Sequence, residues 1–331
     1  MNRTLRLGAL FLLIVAGCDE STTTGDAGTA RDGGGARDGG TGTREDGGSD
    51  AGSRDGGGMT DAGSGMSDAG ADPFSTDRGL FFGAARCNDS FLLCEDFESG
   101  AIDGARWNER SYMSAAEVAT DEAARGTHAY HVTLGTTPGS NVYLEAGALL
   151  LPVAGNHFFG RAFFRIARQP DARTDGAVTI HWNLVEATGP ASIGGTTYRP
   201  LVRWGGILRN HPDLDDQSYL FNYEMPGSMR PPGFSERGAG GPLSPKEDWL
   251  DVWTCAEWEL DGDASEGRFW SDGVAIDELH VMDEIGGDYI TMPTPFETIR
   301  IGWQHYQPIA SAYEVWIDEI VIDDERVGCV R

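Results

Sequence analysis

The chain has 331 residues, with 52 acidic against 25 basic side chains and a formal net charge of −27. That balance argues against nucleic acid, whose phosphates need a basic surface, and against a polyanion held by bulk charge; a local basic groove remains compatible with it. Aromatic weight is uneven, with all nine Trp lying between Trp107 and Trp316.

The chain opens with Arg3 and Arg6, followed by an apolar run from Leu7 to Val15. That run is far short of the roughly 20 residues a bilayer-spanning helix needs. It fits a secretory signal over residues 1–17. The segment Val15-Ala16-Gly17-Cys18 resembles the lipobox of bacterial lipoproteins. The resemblance implies cleavage before Cys18 and acylation of that cysteine. Several acyl chains, at about 0.8 kcal/mol per buried methylene, make a stable membrane anchor. The expected location is therefore the bacterial cell envelope. Asp19 follows the cysteine, a position that sorts lipoproteins differently in different bacteria, so the leaflet stays open.

Residues 18–78 are nearly all Gly, Asp, Ala, Ser, Thr and Arg after the cysteine, with imperfect repeats such as "RDGGGARDGG" and "REDGGSDAG". Large apolar residues are almost absent before Phe74, so no core can offset chain entropy. The expectation is a disordered tether with an average reach of about 40 Å over about 55 residues. The Asp-Gly spacing lacks the regular apolar positions of a calcium-binding β-roll.

Residues 79–331 carry the folded part. In chain order, "GRAFFRIAR", "AVTIHWNLVEA", "SYLFNYEM", "TCAEWELDG", "EGRFWSDGVAI", "TIRIGWQHYQ" and "AYEVWIDEIVI" show period-two patterning and read as strands. "DGDASEGRFWSDG" reads as a hairpin followed by a second turn. Only short helical stretches are credible, such as Ala115 to Arg125. Many strands with long loops predict an all-β two-sheet sandwich. Cys87, Cys94, Cys255 and Cys329 form an even set in an exported chain and suggest two disulfides. Of the three pairings, Cys87–Cys94 and Cys255–Cys329 is favoured, a local loop plus a staple of the last segment to a strand; the spacings do not match a zinc pattern.

The segments "LLCEDFESGAIDGARW", "DVWTCAEWELDG", "RFWSDG" and "YEVWIDEIVIDD", in that order, resemble concanavalin A-like β-jelly rolls of the polysaccharide-lyase type. They are similar to glucuronan and alginate lyases and to the fungal cellulose-induced protein core domain. The resemblance implies an antiparallel jelly-roll sandwich that engages polysaccharide. It also implies a structural calcium ion held by Glu98 and Asp318, with the loop near Asp121 to Thr127 completing the shell by carbonyl oxygens. The competing reading of Glu98, Asp318 and Asp121 is solvated acids at strand edges. Alternation would set Asp318 on one face with Trp316 and Ile320.

The lyases of this type cut uronic-acid chains by β-elimination, with a group that neutralises the carboxylate, a base at C5 and an acid on the leaving oxygen. The resemblance places these on three strand motifs. Here "GRAFFRI" offers Arg161 and Arg165, with Phe163 in place of an acid. "VTIHWN" keeps His181 but has Thr179 where the family has glutamine. "IRIGWQHYQ" sets Arg300, Gly302, Gln304 and Tyr306 on one face, with Gln304 at the family's catalytic tyrosine position. His181 with Tyr306 or Tyr223 and Arg203 are therefore the candidate catalytic residues. Arg165, Asn183, Asn222, Arg300, Gln304 and Trp204 are candidate sugar contacts, and Trp204 and Trp303 candidate stacking platforms. His181 between Ile180 and Trp182 also reads as a structural histidine, and any one Trp as core. Glu257 and Glu259 share a face, as paired glycosidase acids do, but no Glu-x-Asp-x-x-Glu motif is present. Three readings follow: a tethered polyuronate lyase, a non-catalytic carbohydrate-binding module, and an adhesion or envelope protein. Whether the protein is an enzyme is left open.

Overall fold

The computed structural model describes residues 71–148, 150–170, 179–209, 217–225, 234–238, 250–285 and 288–331. All belong to one compact unit, Gly65–Arg331. In chain order the strands begin with β1 (Leu93–Glu95), β2 (Asn108–Tyr112), β3 (Ser114–Ala119), β4 (Ala129–Leu134), β5 (Asn141–Ala146) and β6 (His157–Arg168). They continue with β7 (Thr179–Thr188), β8 (Ala191–Ile193), β9 (Thr196–Tyr198), β10 (Leu201–Arg209), β11 (Gln217–Glu224) and β12 (Phe234–Gly238). The last are β13 (Thr254–Asp261), β14 (Glu266–Ser271), β15 (Val274–Ala275), β16 (Val281–Met282), β17 (Glu284–Ile285), β18 (Asp288–Tyr289), β19 (Thr298–His305) and β20 (Tyr313–Asp323).

Two large antiparallel sheets form the body. The first runs β18-β17-β16-β14-β13-β6-β20-β4-β3, with β1 added to β20 and β15 to β14. The second runs β12-β11-β10-β7-β19-β5-β2. Their inner faces interdigitate through aromatic rings. Phe164 of β6 meets Trp182 of β7 at 5.8 Å and Trp303 of β19 at 5.6 Å between ring centroids. Trp204 of β10 stacks on Phe269 of β14 at 5.2 Å. This is a jelly-roll β-sandwich, and the seven stretches read as strands from their alternation all fall on strands. The expected helix between Ala115 and Arg125 is instead β3 and the loop after it. Ala116 and Val118 pack on the core while β3 pairs with β4, so tertiary pairing overrides the local helix preference.

Part of the outer face of the first sheet, around β20 and β13, is covered, and the cover includes Pro73 and Phe74. The backbone N–H of Val330 donates to Pro73 O at 3.3 Å, and the Arg326 guanidinium lies over Phe74 and Trp270 at 4.9 and 4.3 Å. Beneath this cover a bulge in β20 gives Glu319 a positive φ of 50°. The bulge breaks the expected alternation. Trp316 and Asp318 face outward, whereas Ile320 joins Ile317 in the core. Glu319 is fully buried and accepts from Arg125 at 3.0 Å, from Arg161 at 2.7 Å and from the Arg86 N–H at 2.6 Å. Removing one partner from such a buried pair costs about 3–5 kcal/mol, because a charge is left without compensation.

The disulfides are Cys87–Cys94 and Cys255–Cys329, as favoured. They span 7 and 74 residues of sequence respectively. Loop-closure entropy sets upper limits of about 2 kcal/mol for the short loop and about 4 kcal/mol for the long one. Serine replacement at Cys255 and Cys329 should therefore lower the unfolding free energy about twice as much as replacement at Cys87 and Cys94, measured by denaturant titration.

Candidate functional site

The second sheet turns a polar face outward. Along β7, His181 and Asn183 point outward while Trp182 and Leu184 lie in the core. Leu184 is then an extra residue in the ladder, because Gly205 of β10 pairs with Asn183 and Trp204 with Val185. This bulge shifts the parity, so Val185 and Ala187 are core and Glu186 faces outward. Gly205 is needed at this crossing, since a Cβ there would collide with the Trp182 carbonyl.

The outward face carries a ladder of alternating charge, one side chain from each of β2, β5, β19, β7, β10 and β11, which are successive neighbours in the sheet. Arg110 Nη2 meets Glu145 Oε1 at 3.1 Å, and Arg300 Nε meets Glu145 Oε2 at 2.8 Å. Arg300 Nη1 reaches Glu186 Oε1 at 2.6 Å. Arg203 Nε takes Glu186 Oε2 at 2.8 Å, and its Nη1 meets Glu224 Oε2 at 2.6 Å and Asn222 Oδ1 at 3.3 Å. Glu186 and Arg203 are only 4% and 7% exposed although they face away from the core, so the middle of the ladder is recessed. Burial works against the charge on Arg203, but Tyr306, Glu186 and Glu224 raise its pKa above the ordinary arginine value. Burial likewise pushes the Glu145 carboxyl up, and the hydrogen bonds from Arg300 and Arg110 outweigh it and hold the pKa below its usual range.

A neutral row runs beside the ladder. Tyr143 donates from its hydroxyl to Gln304 Oε1 at 3.0 Å, and Tyr306 donates to the same oxygen at 3.3 Å. The Asn183 side-chain amide donates to the Tyr306 hydroxyl, and the Arg203 guanidinium lies 5.6 Å from the Tyr306 ring centre. Burial raises the pKa of both phenols against the pull of Arg203, so both remain protonated at neutral pH. Beyond this row Gln307 brackets His181. Its Oε1 accepts the His181 backbone N–H at 2.6 Å, which turns its amide nitrogen to His181 Nδ1 at 2.7 Å. With Nδ1 accepting, the ring proton of neutral His181 belongs on Nε2.

Of the residues selected from sequence, the structure thus brings His181, Asn183, Arg203, Asn222, Arg300, Gln304 and Tyr306 to one face. It removes others. Tyr223 is wholly buried in the inter-sheet core and donates its hydroxyl to Thr291 O at 2.9 Å. Trp204, stacked on Phe269 and on Tyr219, and Trp303, stacked on Trp182 at 4.3 Å, are also core and offer no platform. The reason is parity, because each alternates with an outward polar neighbour. Arg165 lies on the first sheet, paired with Glu122 at 2.9 Å and with Asp251. Glu257 is locked by Arg326 at 2.9 Å and by the Gly328 N–H at 2.9 Å, and Glu259 pairs with His157, so these two acids do not form a glycosidase pair.

The expected calcium ligands meet donors of the wrong polarity. Asp318 accepts the backbone N–H groups of Ala124 at 2.8 Å, Arg125 at 2.9 Å and Glu319 at 2.7 Å. Burial pushes its carboxyl well above the usual range, and these N–H groups pull the other way. Glu98 accepts from the N–H groups of Thr127 at 2.6 Å and His128 at 2.7 Å, with Gly126 so close that a Cβ would collide with its carboxylate. Asp121 is exposed. Calcium requires six to eight oxygen ligands. Here the loop supplies N–H groups to two carboxylates, and this arrangement fits capping of the loop, not a calcium shell. Cys18 lies outside the described residues.

Tyr143, Glu145, Glu186, Glu224 and Gln307 were not singled out from the sequence. Outward parity in "NVYLEA" and "NLVEA" was the available signal for Tyr143, Glu145 and Glu186, though the bulge at Leu184 displaces the last.

Fold and site define a jelly-roll domain with a recessed polar face on one sheet. No protein-family model and no curated protein matches the chain. Among solved structures it is similar to the cellulose-induced protein Cip1, at 19% identity and a TM-score of 0.48, over 72% of this chain and 99% of that one. It is also similar to an endo-β-1,4-glucuronan lyase from the fungus Trichoderma reesei, at 14% identity and 0.45, over 71% and 96%. A third is alginate lyase vAL-1 from Chlorella virus, at 12% and 0.45, over 71% and 100%.

The ladder makes a pH-dependent contribution to stability. Because the folded pKa of Glu145 is depressed, its contribution is complete at neutral pH. It is lost as the pH falls below the usual carboxylate value of about 4.3 and through the lower folded value. The stability gap between wild type and Glu145→Gln should be about 1 kcal/mol near neutrality and close in acid, read from denaturant midpoints across pH. A gap that does not change with pH would sink the assignment.

Proposed function

We propose that the domain engages polysaccharide through the outward face of its second sheet, displayed in the cell envelope by a lipid on Cys18. The observation that carries the reading is the interlocked pair of recessed rows, Arg–Glu ladder beside amides and phenols. A sugar hydroxyl both donates and accepts, and this face sets donors and acceptors alternately in fixed positions. Ion pairs and hydrogen bonds within the rows hold the side chains ready, which lowers the entropy lost on binding. Binding without turnover is the better-supported form. A β-elimination base needs a free lone pair, and Gln307 occupies the His181 Nδ1. A uronate needs a cation to neutralise it, and Arg203 and Arg300 are each held by two carboxylates.

The lyase reading retains one specific support. Tyr306, a protonated phenol, sits beside His181 on the same face, joined by its N–H to the His181 carbonyl at 3.1 Å. The full-length chain incubated with alginate, polygalacturonate and glucuronan should give no rise in the ultraviolet absorbance of unsaturated uronates. A rise abolished by His181→Ala would establish elimination instead. Calcium has no part in this reading, and a chelator should leave the melting temperature unchanged.

The anchor has its own test. Cys18→Ser should move the protein from the membrane fraction to the soluble fraction, because acylation of one cysteine supplies the membrane affinity. Retention of the variant in membranes would rule out the lipid anchor.

A further inference from the structure

The outward face carries a statement about its ligand's charge, which rests on the polysaccharide reading above. Each arginine of the ladder already meets a carboxylate, and Glu145 and Glu186 each bridge two arginines. Arg110, Arg300 and Arg203 stand against Glu145, Glu186 and Glu224, so the charges cancel at three each. The adjoining row, Tyr143, Gln304, Asn183 and Tyr306, is uncharged. From these counts we infer that the ligand is an uncharged polysaccharide, read by its hydroxyl groups, and not a polyuronate.

A uronate carboxylate brought to the middle of the ladder would have to displace Glu186 or Glu224 from Arg203, or stay unpaired in a recess. The chain's net charge of −27 adds long-range repulsion. A hydroxyl carries no such cost. It can donate to Glu186 or Glu224 and accept from Arg203 or Arg300 without breaking the compensation. The ladder therefore acts as a selector, because its carboxylates are excluded volume and charge for an acidic sugar and acceptors for a neutral one.

The test uses affinity electrophoresis and calorimetry of the full-length chain. The probes are xylan, mannan and β-glucan as neutral polymers, with alginate and polygalacturonate as acidic ones. Wild type should be retained by at least one neutral polymer and by neither acidic one. Raising NaCl from about 0.1 M to about 1 M shrinks the screening length from about 10 Å to about 3 Å and should change the affinity less than about twofold. Glu186→Gln leaves three arginines against two glutamates. It should weaken neutral-polymer binding about tenfold through loss of a charged hydrogen-bond partner, and create salt-sensitive retention on the polyuronates. Glu224→Gln makes the same charge change at a more exposed position, and decides the matter if Glu186→Gln does not fold. Salt-sensitive binding of wild type to the polyuronates would overturn the inference and leave the polysaccharide reading standing. A folded wild type that binds none of the five polymers would overturn both and move weight to an adhesion or envelope role.

Discussion

The structure depends on the stack of Trp182 on Trp303, 4.3 Å apart and nearly parallel, inside the second sheet's core face. These rings come from neighbouring strands, β7 and β19, and Trp182 stands two residues before Leu184, where β7 bulges against β10. A bulge leaves backbone polar groups out of register, and it persists only where packing over-determines it. Here two indoles and Phe164 from the opposite sheet supply that packing. The consequence appears on the other face. Because the irregularity is held, His181 and Asn183 point outward before it and Glu186 after it, and Glu186 lands between Arg203 and Arg300.

The two sheets use charge in opposite ways. Behind the first sheet, Glu319 is wholly enclosed with Arg125 and Arg161 under a cover made by the segment from Pro73 and by the end of the chain. Burial and the neighbouring Arg161 lower the Arg125 pKa to about 9, against the pull of Glu319. Such a cluster is an expensive way to stabilise a fold, and its effect is to hold one arrangement of strap and sheet. On the second sheet the ladder is recessed at its middle and open at its ends, with Arg110 well exposed.

Parity also explains why Trp182, Trp204 and Trp303 lie in the core. Trp182, Trp204 and Trp303 each sit one residue from a polar member of the outward face. Apolar burial is worth about 25 cal/mol per Å², so the large rings take the inner face and leave the outer one to amides, phenols and ions. What remains outside is a hydrogen-bonding surface whose aromatic residues include Tyr143, Tyr306 and, at the β2 edge, the exposed Tyr112.

The sequence by itself determined the class of fold and the positions of seven stretches of strand, and it favoured, among three, the cysteine pairing that the structure shows. Period-two alternation is local, and an even set of cysteines in a sandwich leaves few choices. It also placed Arg300, Gln304 and Tyr306 on one face, since β19 keeps simple alternation there. Only the tertiary structure decided the rest. Ala115 to Ala119 became strand because β4 lay beside it. Ile320 and Glu186 changed faces because bulges in β20 and β7 each insert one residue, and a single insertion inverts every side chain after it. Tyr223 and Trp204 went to the core because the sandwich has two faces and alternation alone does not say which is inner. The pairing of each arginine with glutamates from adjacent strands depends on the order of strands in the sheet. Neighbours there are far apart in the chain, and no local pattern in the sequence records them.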